Sequence, residues 1–200
     1  PEHLLPEFAG PFAALRRSLG KTGPPLNVVV TGHGDVDPAE RMFQTGEAPA
    51  LIITTEHGAD RLRRSGLPAA TRVAVADSAP EIDPRAILDL IIAAQPRGLI
   101  LLEAGPRLTA DFLAARLIDE LFLTVSPQIA GRDISSQRPG LAAGRVFAPD
   151  DPLWGNLVDA RRAGSHLFLR YALPRPAGTI STILSGKTAR SSSRPPSAAT

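Results

Sequence analysis

The chain has 200 residues, of which 43% are apolar and none is cysteine. This is enough for one sizeable core, and it excludes disulfides, thiolate nucleophiles and zinc sites built from cysteine. The net charge is +2, but residues 174–200 hold four basic residues and no acid, which leaves 18 basic against 20 acidic residues, or −2, for the body. With one Trp and one Tyr, this charge argues against a nucleic-acid partner. No run of eighteen apolar residues is present, so we expect no membrane partner and a cytoplasmic protein.

Apolar runs separated by turn residues predict strands that alternate with helices. The helices are predicted at Pro11–Leu19, Ala59–Ser65 and Pro84–Gln95, and from Pro106 onward. The strands are predicted at Leu26–Val30, Ala50–Thr54, Val73–Ala76, Leu99–Leu102 and Glu120–Ser126. Strands and helices in this order are typical of an α/β fold with a mostly parallel sheet.

The C-terminal part of the body has a different pattern. The Gly- and Pro-rich stretch Gln128–Pro152 predicts an excursion loop. Leu157–Arg161 and His166–Leu173 flank Ala163-Gly164-Ser165 and predict an antiparallel hairpin at the edge of the sheet. From Pro174 onward Ser, Pro, Thr and Ala dominate, so we predict one domain over residues 1–173 and a disordered basic tail over residues 174–200.

The stretch around Glu103 is the strongest candidate for a site. The unbroken apolar run Leu99–Leu102 predicts a strand buried on both faces, and Gly105 and Pro106 predict a helix that starts directly after it. A helix start after a strand favours an anion such as a phosphate, and open sheets bind ligands at the carboxyl ends of their strands. The alternatives are a glycine present for steric reasons only and a Glu103 that is a solvated strand end.

Two other groups of side chains are weaker candidates. His33, Asp35 and Asp37 could suggest a metal, but no second His or clustered acid supports one, so we predict a polar turn and no metal site. The three arginines of the helix around Ala59–Ser65 could face a phosphate, although such charge runs are usually a solvated face. These arginines are Arg61, Arg63 and Arg64.

The residues after the buried run also carry a family resemblance. Residues 101–108 read Leu-Leu-Glu-Ala-Gly-Pro-Arg-Leu, and residues 112–131 read Phe-Leu-Ala-Ala-Arg-Leu-Ile-Asp-Glu-Leu-Phe-Leu-Thr-Val-Ser-Pro-Gln-Ile-Ala-Gly. This order resembles the C-terminal reductase domain of bacterial riboflavin biosynthesis, a pyrimidine reductase. The resemblance extends over roughly residues 10–173. It implies a dihydrofolate-reductase-like, three-layer α/β/α fold.

The resemblance implies an NADPH-dependent reductase. Its substrate would be the phosphoribosylaminopyrimidine 5-amino-6-(5-phosphoribosylamino)uracil, whose ribose is reduced to give the ribitylamino product. Glu103 would contact this substrate, and the cofactor's adenosine end would lie near Thr31 and Gly32. The cofactor phosphates would be held at the helix start, by Ala104, Gly105, Pro106, Arg107, Leu108 and Thr109. We also expect a homodimer.

This chain departs from the family pattern in two places. The family usually has Gly-Gly after the Glu, where this chain has Ala104-Gly105. Family members also carry a Ser-Leu-Asp-Gly-like substrate loop and a Gly-x-x-Thr-like cofactor loop upstream of the matched stretch, and neither pattern occurs here, so we expect that an N-terminal segment is missing. Two alternatives therefore stay open: a truncated or degenerate member that binds a nucleotide or partner without turnover, and a related reductase of another pterin-like or pyrimidine substrate.

Overall fold

The computed structural model describes residues 6–21, 23–77, 81–96, 98–129, 131 and 140–174. The helices are α1 (Ala9–Ser18), α2 (Arg41–Gln44), α3 (Glu56–Arg63), α4 (Pro84–Ala94) and α5 (Pro106–Ala114), preceded by a short 3-10 turn at Pro6–Phe8. The strands are β1 (Asn27–Thr31), β2 (Ala50–Thr55), β3 (Arg72–Asp77), β4 (Glu120–Val125), β5 (Asn156–Ala163) and β6 (His166–Ala172). The tail predicted as disordered lies, from residue 175 on, outside the described residues.

The chain divides into two compact units. The first consists of residues 1–98, 102–117 and 139–145, and it holds the strands β1 to β3 with the helices α1 to α5. The second consists of residues 99–101, 118–138 and 146–200, and it holds the strands β4 to β6. Each unit therefore has its own sheet.

The first unit is built on a parallel sheet in the order β1-β2-β3. Every residue of the central strand β2 is buried, and this strand has a hydrogen-bonded neighbour on each side. Ile52 and Ile53 are both 0% exposed. Ile52 packs with Phe43 of α2 and Leu62 of α3, and this apolar cluster forms the core on that side of the sheet.

The helices α4 and α5 begin where the sequence predicts, whereas α1 begins two residues and α3 three residues before the predicted start. Asp83 caps α4 by accepting a 2.9 Å hydrogen bond from the backbone N–H of Arg85, and Pro84 is the first helical residue. Pro at this position costs no hydrogen bond, and an Asp cap satisfies one of the free N–H groups of the first turn. Gly105 and Pro106 begin α5 in the same way, but Gly105 supplies no side-chain cap.

The second unit is an antiparallel sheet in the order β4-β6-β5. The predicted hairpin is present as β5 and β6, and the strand predicted at Glu120–Ser126 is present as β4. Leu123 and Val125 of β4 pair with Leu169 and Leu167 of β6, so these apolar side chains share one face. This face remains partly open, with Leu123 41% exposed.

The prediction of a strand at Leu99–Leu102 is wrong. Residues 98–105 form no strand, and Leu99 is 86% and Leu101 72% exposed. The prediction assumed a strand of a sheet that is buried on both faces. Within the described residues these four have no ladder partner, and Leu99, Ile100 and Leu101 are exposed.

The α/β class with parallel and antiparallel strands is confirmed, and the two kinds of strand lie in separate sheets. The short helix α2 was not predicted from the sequence, because four residues are too few to show a helical period. Among the described residues, no helix is both long and apolar enough to cross a membrane.

Candidate functional site

The loop after β1 is fixed by two threonines at the end of β2. The Thr54 hydroxyl donates a 2.6 Å hydrogen bond to the Thr31 carbonyl, and the Thr55 hydroxyl donates a 2.7 Å hydrogen bond to the Gly32 carbonyl. Both threonines are buried, and a buried hydroxyl needs such a partner. The two candidate cofactor residues Thr31 and Gly32 therefore lie on a loop whose backbone is held in place.

These hydrogen bonds also orient the loop's N–H groups. A trans peptide unit points its carbonyl and the following N–H in opposite directions. Because the carbonyls of Thr31 and Gly32 face the threonine hydroxyls, the N–H groups of Gly32 and His33 point away from those hydroxyls. Among the strands that the structure describes, β1 lies at the edge of its sheet.

The same loop packs directly on the start of α3. A Cβ on Gly58 would lie 2.8 Å from the Gly32 carbonyl oxygen and 2.9 Å from the Gly34 nitrogen, closer than real Cβ contacts come. Gly34 has φ +65°, which favours glycine, and a Cβ there would collide with Gly58. Thr55 joins the two parts, since its hydroxyl also accepts a 3.1 Å hydrogen bond from the Gly58 N–H as the N-cap of α3.

An ion pair links the loop to the second turn of α3. Arg61 and the Asp35 carboxylate are 3.0 Å apart, and both side chains are largely exposed. The Asp35 N–H donates a 3.2 Å hydrogen bond to the Thr31 hydroxyl. Asp35 thus takes part in the loop. No group of three or more His, Cys, Asp or Glu that could hold a metal ion occurs in the part of the chain that the structure describes.

The second group of candidate residues surrounds the start of α5. Gly105 is the N-cap with φ −63°, and no side chain caps the helix. The Thr109 hydroxyl donates a 3.3 Å hydrogen bond to the Ala104 carbonyl, which braces the turn. A helix start without a side-chain cap leaves backbone N–H groups for another acceptor, and the helix dipole favours a negative one.

The surroundings of this helix start come from residues 140–145. The Ala143 N–H donates a 3.1 Å hydrogen bond to the Pro106 carbonyl, and Arg145 forms a 2.8 Å ion pair with Asp111. Glu103 and Arg107 are both exposed, on either side of Gly105. A carboxylate and a guanidinium are therefore accessible where the helix begins.

The predicted site residues thus form two groups, both in the first unit. Thr31 and Gly32 belong to the loop after β1, and residues 103–109 belong to the start of α5. The hydrogen bonds and ion pairs described above stay within each group. The buried Thr54 and Thr55, and the glycine at position 58, were not predicted as parts of the site. Their signal in the sequence is a pair of threonines at the end of a buried strand, followed by a helix with glycine in its first turn.

A comparison with protein-family models identifies the family of the chain. Residues 11–163 match the RibD C-terminal domain. The chain belongs to the RibD C-terminal domain family. This confirms the resemblance carried by residues 101–131, and it makes the chain a member of the pyrimidine reductase family of riboflavin biosynthesis.

Solved structures with similar folds agree with this family. A pyrimidine reductase-like protein from Corynebacterium diphtheriae has a TM-score of 0.62 and 20% identity, over 82% of this chain and 66% of that one. The diaminohydroxyphosphoribosylaminopyrimidine deaminase/5-amino-6-(5-phosphoribosylamino)uracil reductase from Thermotoga maritima has a TM-score of 0.58 and 17% identity, over 76% and 38%. RibD from Acinetobacter baumannii has a TM-score of 0.54 and 19% identity, over 78% and 40%.

These likenesses show the dihydrofolate-reductase-like fold of the RibD reductase domains. The RibD family chain spans about two thirds of the Corynebacterium protein and about two fifths of the other two proteins. No curated protein sequence matches it.

Proposed function

We propose that this RibD family chain is an NADPH-dependent reductase that converts the ribose of 5-amino-6-(5-phosphoribosylamino)uracil to the ribitylamino product. The observation that carries the proposal is the family match over residues 11–163, which includes both groups of candidate residues. The name of the Thermotoga protein, a deaminase and reductase of this pathway, supports the substrate.

The start of α5 fits the phosphates of a dinucleotide. Gly105 caps the helix without a side chain, and the space that a Cβ would take there is empty. A phosphate can therefore come close to the backbone N–H groups of Arg107 and Leu108, where the helix dipole favours it. The exposed guanidinium of Arg107 adds a positive charge to this place.

The loop after β1 fits the other end of the cofactor. Thr54 and Thr55 hold the carbonyls of Thr31 and Gly32 inward, so the loop presents N–H groups and not carbonyl oxygens on its other side. Successive backbone N–H groups suit an anion or the acceptor atoms of a nucleotide. Hydrogen bonds hold the backbone of this loop without a ligand, and such preorganisation lowers the entropy cost of binding.

When bound, NADPH supplies the hydride for C1 of the ribose. Glu103 precedes the phosphate-binding turn directly in the chain, and its exposed carboxylate is available to accept hydrogen bonds from the hydroxyl groups of the substrate. Its role is to position the sugar, and cofactor binding depends on the residues from Ala104 to Thr109.

A nucleotide-binding domain without turnover is the second candidate. The observation in its favour is the segment Leu99–Leu102, which leads into Glu103 and has no strand partner among the described residues. Its first three side chains are exposed. A carboxylate on an unpaired segment is not held in a fixed geometry, and loss of a catalytic group's position lowers turnover more than binding.

Two measurements on one set of variants separate these functions. NADPH binding is measured by titration, and turnover by the loss of NADPH absorbance with the aminouracil substrate. Glu103→Gln should lower turnover and leave the Kd for NADPH unchanged, whereas the control Glu81→Gln, which changes an exposed carboxyl elsewhere, should alter neither. NADPH binding without turnover would favour the second candidate, and absence of NADPH binding would contradict both.

A further inference from the structure

The helix α1 carries an apolar stripe that is exposed to water. None of the ten residues of α1 is buried, so this helix adds no buried side chain to the core of the first unit. The large apolar side chains in α1 and at its two ends are between 47% and 65% exposed, and they are Phe8, Phe12, Leu15 and Leu19. Single apolar residues are normal on a protein surface, whereas a contiguous group of them indicates an interaction surface.

The spacing of the apolar stripe is that of a helix that pairs with one other helix. Its members follow each other at steps of four, three and four residues, and Phe8 and Leu19 at the ends keep near-helical backbone angles. These steps place all four side chains within a sector of about 60° and match the a and d positions of a heptad repeat. A helix that packs on a broad core needs a wider apolar face. The stripe therefore fits a single facing helix.

The end of α1 is fixed by contacts within its own chain. The N–H groups of Gly20 and Lys21 donate hydrogen bonds of 3.0 and 2.9 Å to the carbonyls of Arg17 and Arg16, with Gly20 at φ +68°. This is the usual glycine-based end of a helix. The Arg16 guanidinium donates a further hydrogen bond to the Gly23 carbonyl. The helix is thus formed before a partner binds, which lowers the entropy cost of pairing.

The charges on α1 favour two helices that run in opposite directions. The start of the helix has the acidic Glu7, and the last turn and the residues after it have the basic Arg16, Arg17 and Lys21. Two parallel copies would bring the two basic ends together. Two antiparallel copies place each acidic start beside the basic end of the other copy, where opposite charges attract. The helix is therefore complementary to a second copy of itself.

We infer that α1 is a surface on which a second copy of this chain docks, with the two helices antiparallel. In this arrangement Phe12 of each copy packs on Leu15 of the other, and Phe8 packs on Leu19. A two-fold axis then passes between Phe12 and Leu15, and one stripe serves both copies, as a closed dimer requires. This inference goes beyond the proposed function, because α1 belongs to neither group of candidate ligand residues.

The area of the apolar stripe predicts how strong the pairing is. Two half-exposed phenylalanines and two leucines offer on the order of 400 Å² per copy. A stable interface takes about 600 Å² or more from each partner. Pairing through α1 alone should therefore give a dimer that dissociates on dilution.

Sedimentation of the full chain over a series of concentrations tests the surface, with Leu15→Glu and Ala14→Glu as matched variants. Both add one negative charge to α1, and Ala14 is exposed but lies off the apolar stripe. Leu15→Glu should raise the Kd of the dimer at least about tenfold, because it places a charge between the helices. Ala14→Glu should change it less than about twofold. All three chains should melt at the same temperature when monomeric, since α1 has no buried residue.

The orientation is tested with introduced cysteines, since the chain has none of its own. A mixture of Phe8→Cys and Leu19→Cys chains should form a disulfide between different chains under mild oxidation, because these two positions face each other. Phe8→Cys alone should form almost none. The two copies of position 8 lie about 16 Å apart along an antiparallel pair, which is too far for a disulfide.

A parent chain that is monomeric across the whole concentration series would overturn the inference. Equal changes of the dimer Kd in Leu15→Glu and Ala14→Glu would also overturn it, since they would show that the apolar stripe is not the contact. Faster disulfide formation by Phe8→Cys alone than by the mixture would contradict the antiparallel arrangement. None of these measurements uses NADPH, so their failure leaves the proposed function standing.

Discussion

Two apolar runs of the chain have similar composition, but one forms a buried strand and the other forms no strand. Ala50–Thr55 forms β2, between β1 and β3, and its two isoleucines are 0% exposed. Leu99–Leu102 is just as apolar, but it forms no strand, and Leu99 is 86% exposed. The difference lies in the neighbours, since a buried strand needs hydrogen-bond partners for its backbone as well as apolar side chains. An apolar run therefore indicates the capacity for a buried strand, and pairing decides whether one forms.

The largest expected effect is a loss of stability when a side chain of the first run is shortened. The same change in the second run should have almost no effect. Ile52→Ala should lower the free energy of unfolding by about 2–5 kcal/mol, because it removes buried methyl groups and leaves a cavity next to Phe43 and Leu62. Leu101→Ala should cost less than about 0.5 kcal/mol, since Leu101 is 72% exposed. Urea denaturation of both variants measures this. A loss from Leu101→Ala as large as that from Ile52→Ala would show that the second run is buried.

A second prediction concerns the close contact between the loop after β1 and the first turn of α3. Gly58→Ala places a Cβ against the Gly32 carbonyl oxygen and the Gly34 nitrogen, which are backbone atoms that cannot rotate aside. Overpacking of this kind should cost about 1–3 kcal/mol, and it should also disturb the loop that holds Thr31. The control is Gly10→Ala in α1, where nothing lies near the added Cβ and no loss is expected. Thermal melts of the two variants check this, and equal melting temperatures would contradict the close approach.

The first unit shows how far the sequence leads. The spacing of apolar residues and the positions of turn residues predicted β1 to β3, the helices α1, α3, α4 and α5, and the Asp83 cap. Each of these features depends on residues close together in the chain. The glycine contact between positions 34 and 58 and the ion pair of Arg61 join residues more than twenty positions apart. No local pattern encodes such pairs. The failure at Leu99–Leu102 has the same cause, since its pairing partners are not set by its own residues.

A third prediction sharpens the account of the loop. Thr55→Val keeps the shape of a buried side chain but removes its hydroxyl, so the Gly32 carbonyl and the Gly58 N–H both lose a partner. We expect a cost of about 1–2 kcal/mol and weaker NADPH binding through the displaced loop. Thr55→Ser retains the hydroxyl and should recover most of both. Chemical denaturation measures the loss of stability, and NADPH titration measures the loss of affinity. A Thr55→Val variant as stable as the parent chain and with the same Kd for NADPH would contradict the anchoring role.

The smallest expected effect lies in the second unit and depends on pH. A side-chain hydrogen bond from Arg170 lowers the pKa of Glu120 below its ordinary value, and the charge of Arg170 acts in the same direction. A carboxylate with a lowered pKa stabilises the fold above its ordinary pKa of 4.5, and this contribution is lost as the pH falls through the lowered value. As the pH is lowered across this acidic range, the free energy of unfolding should therefore fall less steeply in Glu120→Gln than in the parent chain. Arg170→Gln should give the same flattening, and the double variant no more than either.

Hydrogen exchange of the backbone amides, with and without NADPH, tests the central claim most directly: the ligand site lies on the packed unit, and the second apolar run is unpaired. We predict slow exchange in Ala50–Thr55 and fast exchange in Leu99–Leu102 without ligand. On addition of NADPH, exchange should slow in residues 31–34 and 104–109. Protection of Leu99–Leu102 equal to that of Ala50–Thr55 in the free chain, or NADPH binding that leaves both ligand-contact segments unchanged, would contradict the account.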